Sequence, residues 1–165
     1  MISLKWHNED VPAGMVTRQV YGVIFTTDGR VLLKVDAGDK CKYSLAGGTP
    51  ESFDRDRVAT LRRELIEEVN TTIFDPILIG YQEVIGDRDL PPYAQVRMVA
   101  MIDTIGPKQP DPDNGKVYDR LLVSPKRAIE LMNWGEIGKT LINEGYRIAK
   151  ENFVFTDIVD TEEYV

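Results

Sequence analysis

The chain has 165 residues, the size of one domain, since domains typically run to roughly 100–200 residues, and two full domains are excluded on length. Its hydrophobic content of 42% is ordinary for a globular chain of this size, which excludes disorder along the whole length. The 27 acidic and 20 basic side chains give a formal charge of −7, the wrong sign for holding nucleic acid by counterion release, so a polyanionic ligand would need a metal ion as intermediary.

The first 14 residues, MISLKWHNEDVPAG, form a polar leader without the apolar run of a secretory signal. The segment QVYGVIFTTDGRVLLKVDAG is rich in β-branched residues on both sides of Thr27-Asp28-Gly29, which predicts a hairpin with glycine taking the positive φ of the turn. Cys41, in the charged loop that follows, is the only cysteine, so neither an internal disulfide nor a cysteine zinc cluster can form and a reducing, cytoplasmic setting is expected. KYSLAGGTP then leads through a glycine pair to residues with helical period from Ser52 to Asn70. Residues 71 to 84 and 93 to 105 read as strands, separated by the proline-broken GDRDLPP, and the first of them is long enough to offer a sheet edge to a second copy. After the loop GPKQPDPDNG, KVYDRLLV reads as a strand, and SPKRAIELM and GEIGKTLINEGYRIAKENF as helices. Residues 157 to 165 read as a solvated acidic tail. No stretch approaches the roughly 18 apolar residues of a membrane span, so no membrane partner is expected. Strands around a middle helix and two terminal helices predict an α/β (α+β) architecture with a mixed sheet between helices.

The chemistry concentrates in RVATLRRELIEEVN, residues 57 to 70. At 100° per residue Val58, Leu61, Leu65 and Val69 form the face a helix lays on a sheet. Glu64, Glu67 and Glu68 share a second stripe, because i, i+3 and i+4 lie together, and three carboxylates so close repel and raise one another's pKa. A divalent cation relieves that repulsion, and hard oxygen donors suit Mg²⁺ or Mn²⁺. Taken alone, the triplet reads equally as a wet helix face with an ordinary Arg63–Glu67 pair.

The context decides between these readings. Gly47-Gly48, Glu51 and Arg63-Glu64-Leu65-Ile66-Glu67-Glu68 resemble the box of the Nudix hydrolases (MutT-like), in which glycine, five residues and glutamate are followed after seven residues by arginine, glutamate, an aliphatic residue, any residue and two glutamates. The hairpin upstream and RLLVSPKRAIELMNWG downstream are similar to that family's strands and closing helix. The spacing from Gly48 to Arg63 is one residue longer than in the family, so counting back from Arg63 reaches Arg55 where counting forward from Gly48 reaches Asp54. Asp54 or Ser52 serves as an N-cap on the residues alone, with Asp56 in the first turn. Asn70 replaces the closing glycine and tolerates the left-handed conformation that ends helices.

The resemblance implies a Nudix-type α/β/α sandwich and a hydrolase that cleaves the diphosphate linkage of a small-molecule nucleoside diphosphate derivative with Mg²⁺ or Mn²⁺, often as a homodimer. Carried over by position, it makes the Gly47 carbonyl, Glu64, Glu67 and Glu68 metal ligands, Glu64 alternatively the base, and Arg63 the residue that orients Glu64 or Glu67. Glu83, Asp111, Asp113 and Asp119 are distal alternatives for the base. Arg18 and Lys34 are candidates for substrate phosphates, Glu51 for substrate binding, and Tyr81, with Tyr43 and Tyr93, for stacking a base. His7 and Cys41 need no catalytic role, because water attack on phosphorus requires no side-chain nucleophile. The longer loop before the helix leaves a second reading, a nucleotide- or protein-binding module without turnover.

Overall fold

The computed structural model describes residues 1–165. Its elements are β1 (Ser3–His7), β2 (Val16–Phe25), β3 (Val31–Asp36), β4 (Lys42–Ser44), β5 (Ala46–Gly48), α1 (Arg57–Val69), β6 (Thr71–Ile73), β7 (Ile77–Ile85), β8 (Tyr93–Ile105), β9 (Asp119–Val123), α2 (Pro125–Met132), α3 (Gly135–Asn152) and β10 (Glu163–Tyr164). The strands join in the order β1-β7-β8-β2-β3-β9-β10, with β4 on β3, β5 on β2 and β6 on β8. β2 runs parallel to β8 and every other pair is antiparallel, so the sheet is mixed.

Period-2 alternation divides each central strand between two cores. Val20 and Ile24 of β2 meet Leu61, Leu65 and Val69 of α1, while Val23 and Phe25 meet Leu141, Ile142 and Ala149 of α3 and Ala128 and Met132 of α2. Helices thus cover both faces, giving the α/β/α sandwich expected from the sequence. Each fully buried leucine or isoleucine contributes roughly 1.5–3 kcal/mol to holding these layers.

One irregularity makes the cleft. β2 and β3 pair only at Phe25↔Val31, beside their turn, and then splay apart. β4 completes β3 through Lys34↔Ser44 and β5 completes β2 through Tyr21↔Gly47, so the chain crosses the split at Leu45. The split brings Tyr21, Lys34 and the glycine pair together beside α1.

Several expectations need correction. α1 starts at Arg57 rather than Ser52, because Asp56, with extended backbone (φ −161°), caps it by accepting from the Ala59 N–H at 2.9 Å. Residues 71 to 84 form two strands, β6 and β7, separated by Phe74-Asp75-Pro76, where proline withholds a ladder donor. β7 offers no edge, since residues 3–7 of the leader form β1 and pair with it from Ser3↔Ile85 to His7↔Tyr81. The acidic tail is exposed but tied down. Glu163 and Tyr164 pair with Leu122 and Leu121, and Arg30 Nη1 donates to the Thr161 carbonyl at 3.2 Å.

Candidate active site

α1 ends where the sequence reading places its end: Asn70 takes the left-handed conformation (φ 45°, ψ 51°). The buried Arg120 Nη1 donates to the Val69 carbonyl at 3.0 Å and the Gly106 carbonyl at 2.6 Å, and with the Thr71 hydroxyl, also on Val69, it fixes the end of the helix. Held at both ends and packed through its leucines, α1 presents Glu64 and Glu68 buried and Glu67 half-buried.

Arg63 is the organiser of this face. Its Nε and Nη2 hold both carboxylate oxygens of Asp54 at 3.0 and 2.9 Å, its Nη1 reaches Glu64 at 3.0 Å and Glu67 at 3.2 Å, and its Nη2 also donates to the Thr49 carbonyl. Asp54 further accepts from the Thr60 hydroxyl and the Glu51 N–H, both at 2.9 Å. Donors on every side, Arg63 first among them, hold the Asp54 carboxyl far below the usual carboxylate range. Counting forward from Gly48 therefore finds the partner of Arg63.

Gly47 is sterically required by the backbone, and Gly48 leaves room for the Glu64 carboxylate. A Cβ at Gly47 would lie 2.1 Å from the Val20 carbonyl oxygen, and one at Gly48 would lie 2.5 Å from the Glu64 carboxylate. Gly47 donates its N–H to Glu68 Oε1 at 2.8 Å, and Glu68 Oε2 pairs with Lys34. Burial pushes the Glu64 carboxyl up to about 7, against the pull of Arg63. Burial also raises Glu67, with Asp113 and Asp111 adding to it, and raises Glu68 despite Lys34.

Glu67 finds two further acids across the cleft. Oxygens of Glu67, Asp111 and Asp113 lie within 4.8 Å of one another. Asp111 is buried, and its Oδ1 accepts the Asp113 N–H at 2.9 Å, which fixes the loop. Two ligands of one Mg²⁺ sit at most about 4.2 Å apart, given metal–oxygen distances of about 2.1 Å, so slight closure would seat a hard cation here.

Other candidates lie elsewhere. Tyr81 is buried on the α1 side of the sheet and stacks on His7 at 4.6 Å, and Glu83 bonds His7 at 2.8 Å. Asp119 pairs with Lys108 at 2.7 Å. Arg18 lies over the Tyr93 ring at 5.4 Å, and the Glu51 side chain is exposed. Beside Lys34, instead, opens a cavity of about 450 Å³ lined by Tyr21, Gln82, Gln95, Arg97 and Trp134 among twelve residues. Sequence reading missed these. The one signal for them is Arg97 itself, a charge inside the apolar strand YAQVRMVAMI.

No family model matches the chain, and no curated protein matches it in sequence. Solved structures do. A NUDIX hydrolase from Nitrosomonas europaea is similar at 17% identity and TM-score 0.59, over 88% of this chain and 97% of that one. An Ap4A hydrolase from C. elegans is similar at 14% identity and TM-score 0.57, over 82% and 99%. A MutT from a study of the Aliivibrio salmonicida and Vibrio cholerae proteins is similar at 17% identity and TM-score 0.56, over 77% and 97%. The chain has the Nudix fold.

Proposed function

We propose that the protein is a metal-dependent hydrolase that cleaves the diphosphate linkage of a nucleoside diphosphate derivative by water attack on phosphorus. The observation that carries this is the convergence of Glu64, Glu67, Glu68, Asp111 and Asp113 on one mouth of the cleft, with only Arg63 and Lys34 to offset them. So many carboxylates at a concave, half-buried site call for a divalent cation.

Glu67, Asp111 and Asp113 would hold the ion, with Glu64 and the Gly47 carbonyl beside them. The ion would neutralise phosphate charge and lower the pKa of a water. Glu64, buried at the mouth of the cleft and held by Arg63, would take the proton as base. Arg63, fixed by Asp54, keeps Glu64 and Glu67 oriented. Lys34, paired with Glu68, is placed to hold a substrate phosphate, and Glu68 would then serve as a further ligand of the ion. With Asp54 on Arg63, the longer loop still leaves the arginine held, which supports turnover over a binding module without it.

The test is product release from a panel of nucleoside diphosphate derivatives with Mg²⁺, Mn²⁺ or EDTA, for the native chain and Glu67→Gln. Turnover that needs metal and falls by at least about a hundredfold in the variant supports the reading. Absence of turnover across the panel, with metal bound and the fold intact, overturns it.

A further inference from the structure

The cavity beside Lys34 is a continuation of the candidate active site, and its walls have a chemical bias of their own. Gln82 and Gln95 face each other across β7 and β8, and the next residue on the same face of β8, Arg97, lies beside Tyr21 of β2. None of the twelve lining residues is acidic, although the whole chain carries −7.

Arg97 is the unusual member. It is 4% exposed, its guanidinium lies 4.6 Å from the centre of the Tyr21 ring and 6.0 Å from that of Trp134, and no carboxylate pairs with it. Its hydrogen bonds are two long ones, from Nη2 to Gln95 Oε1 at 3.2 Å and from Nη1 to the Val96 carbonyl at 3.4 Å. Burial without a counter-charge lowers its pKa to about 10. Gln95 Oε1 is shared with Gln82 Nε2 at 2.8 Å, so that acceptor is spent inside the wall while the Gln95 amide donor stays available. The glutamine pair thus leaves one carbonyl, that of Gln82, and one amide donor group, that of Gln95, open beside a buried cation, and the guanidinium asks for a ligand edge made of acceptors.

An inorganic anion suits this poorly, because Leu4, Leu45, Ile137 and the ring of Trp134 supply much of the remaining wall. A flat heteroaromatic ring with two adjacent acceptors suits both halves. A 6-oxopurine offers such a pair, O6 and N7, at the spacing a guanidinium fork spans. A 6-aminopurine presents a donor at position 6, and uracil has only one acceptor on the corresponding edge. We infer that this cavity selects a 6-oxopurine nucleotide, with Arg97 as its specificity-determining residue. The proposal rests on the reading of the site as nucleotide-cleaving only in calling the ligand a nucleotide.

The test is equilibrium binding of GMP, IMP, AMP, 7-deaza-GMP and 8-oxo-GMP to the full chain in EDTA, which separates recognition from turnover. GMP and IMP are expected to bind within about threefold of each other and at least about tenfold more tightly than AMP. 7-Deaza-GMP, which lacks the N7 acceptor, and 8-oxo-GMP, whose N7 carries a hydrogen, are expected to bind several-fold more weakly than GMP. Arg97→Gln should remove most of the GMP preference while leaving AMP binding within about threefold. AMP binding as tightly as GMP, 7-deaza-GMP binding as tightly as GMP, or no nucleotide binding at all overturns the proposal. The analogue series on the native chain decides the matter even if Arg97→Gln does not fold. Selective GMP binding without metal-dependent turnover would sink the hydrolase reading and leave the cavity's specificity standing.

Discussion

The two ends of the cleft are electrostatic opposites. At α1, Glu64, Glu67 and Glu68 face Asp111 and Asp113 with too few cations. Behind Lys34, Arg97 sits buried with no anion. Stability alone explains neither arrangement, since like charges repel at one end and a buried cation without a counter-charge is costly at the other. Each is half of an interaction: the acids are short of a cation and the buried guanidinium lacks a counter-anion. Lys34 belongs to both, pairing with Glu68 on one side and lining the cavity on the other.

The acidic end offers the larger effects. Glu67→Gln removes one of three carboxylates within 4.8 Å of each other, and a loss of at least about a hundredfold in kcat is expected, with weaker Mn²⁺ binding by calorimetry. Asp54→Asn comes next. It leaves every proposed ligand in place but releases the Arg63 fork, so kcat should fall by about 10–100-fold while KM changes little. Equal losses from Asp54→Asn and Asp54→Ala would show that the charge on Arg63's partner is what matters; full activity in Asp54→Asn would sink the positioning role.

A smaller effect separates the acidic end without metal. Glu64 is held at about 7 in the fold, above its ordinary carboxylate value, because burial penalises its charged form. The folded chain therefore binds more protons than the unfolded chain between about pH 4.5 and 7. Stability of the metal-free protein from this group must fall as pH rises through that window and level off above it. Urea melts in EDTA check this, and Glu64→Gln should flatten the slope. A native profile that rises from pH 5 to 7 and is unchanged by the variant would contradict it.

How far the sequence reaches differs between the two ends in the same way. The acidic helix was legible, because a stripe of glutamates beside a stripe of leucines is a local pattern and helical geometry fixes their neighbours. The sandwich was legible from the order of periodic segments. The donor-lined cavity was not, because Tyr21, Gln82, Gln95, Arg97 and Trp134 come from four separate elements or their flanks and meet only through strand register and the splay of β2 from β3. Tyr81 was misplaced by one residue's alternation: Gln82, its neighbour, faces the cavity, and Tyr81 faces α1. The pairing of Asp111 and Asp113 with Glu67 also depends on a loop whose path no local signal defines.

Asp54 and Asp56 give the sharpest and smallest test. They lie two residues apart and both precede α1, and the sequence alone makes Asp54 a cap and places Asp56 in the first turn. In the fold Asp56 caps the helix through the Ala59 N–H, while Asp54 turns inward to Arg63 and Thr60. Asp56→Ala should therefore cost about 1 kcal/mol of stability, read as a lower urea midpoint with an unchanged m-value. Because α1 is also held by its leucines and by Arg120 at its far end, the glutamates keep their places and kcat should stay within about twofold. A loss of activity in Asp56→Ala comparable to that in Asp54→Asn would mean that the whole loop, rather than the carboxylate on Arg63, sets the position of the acids.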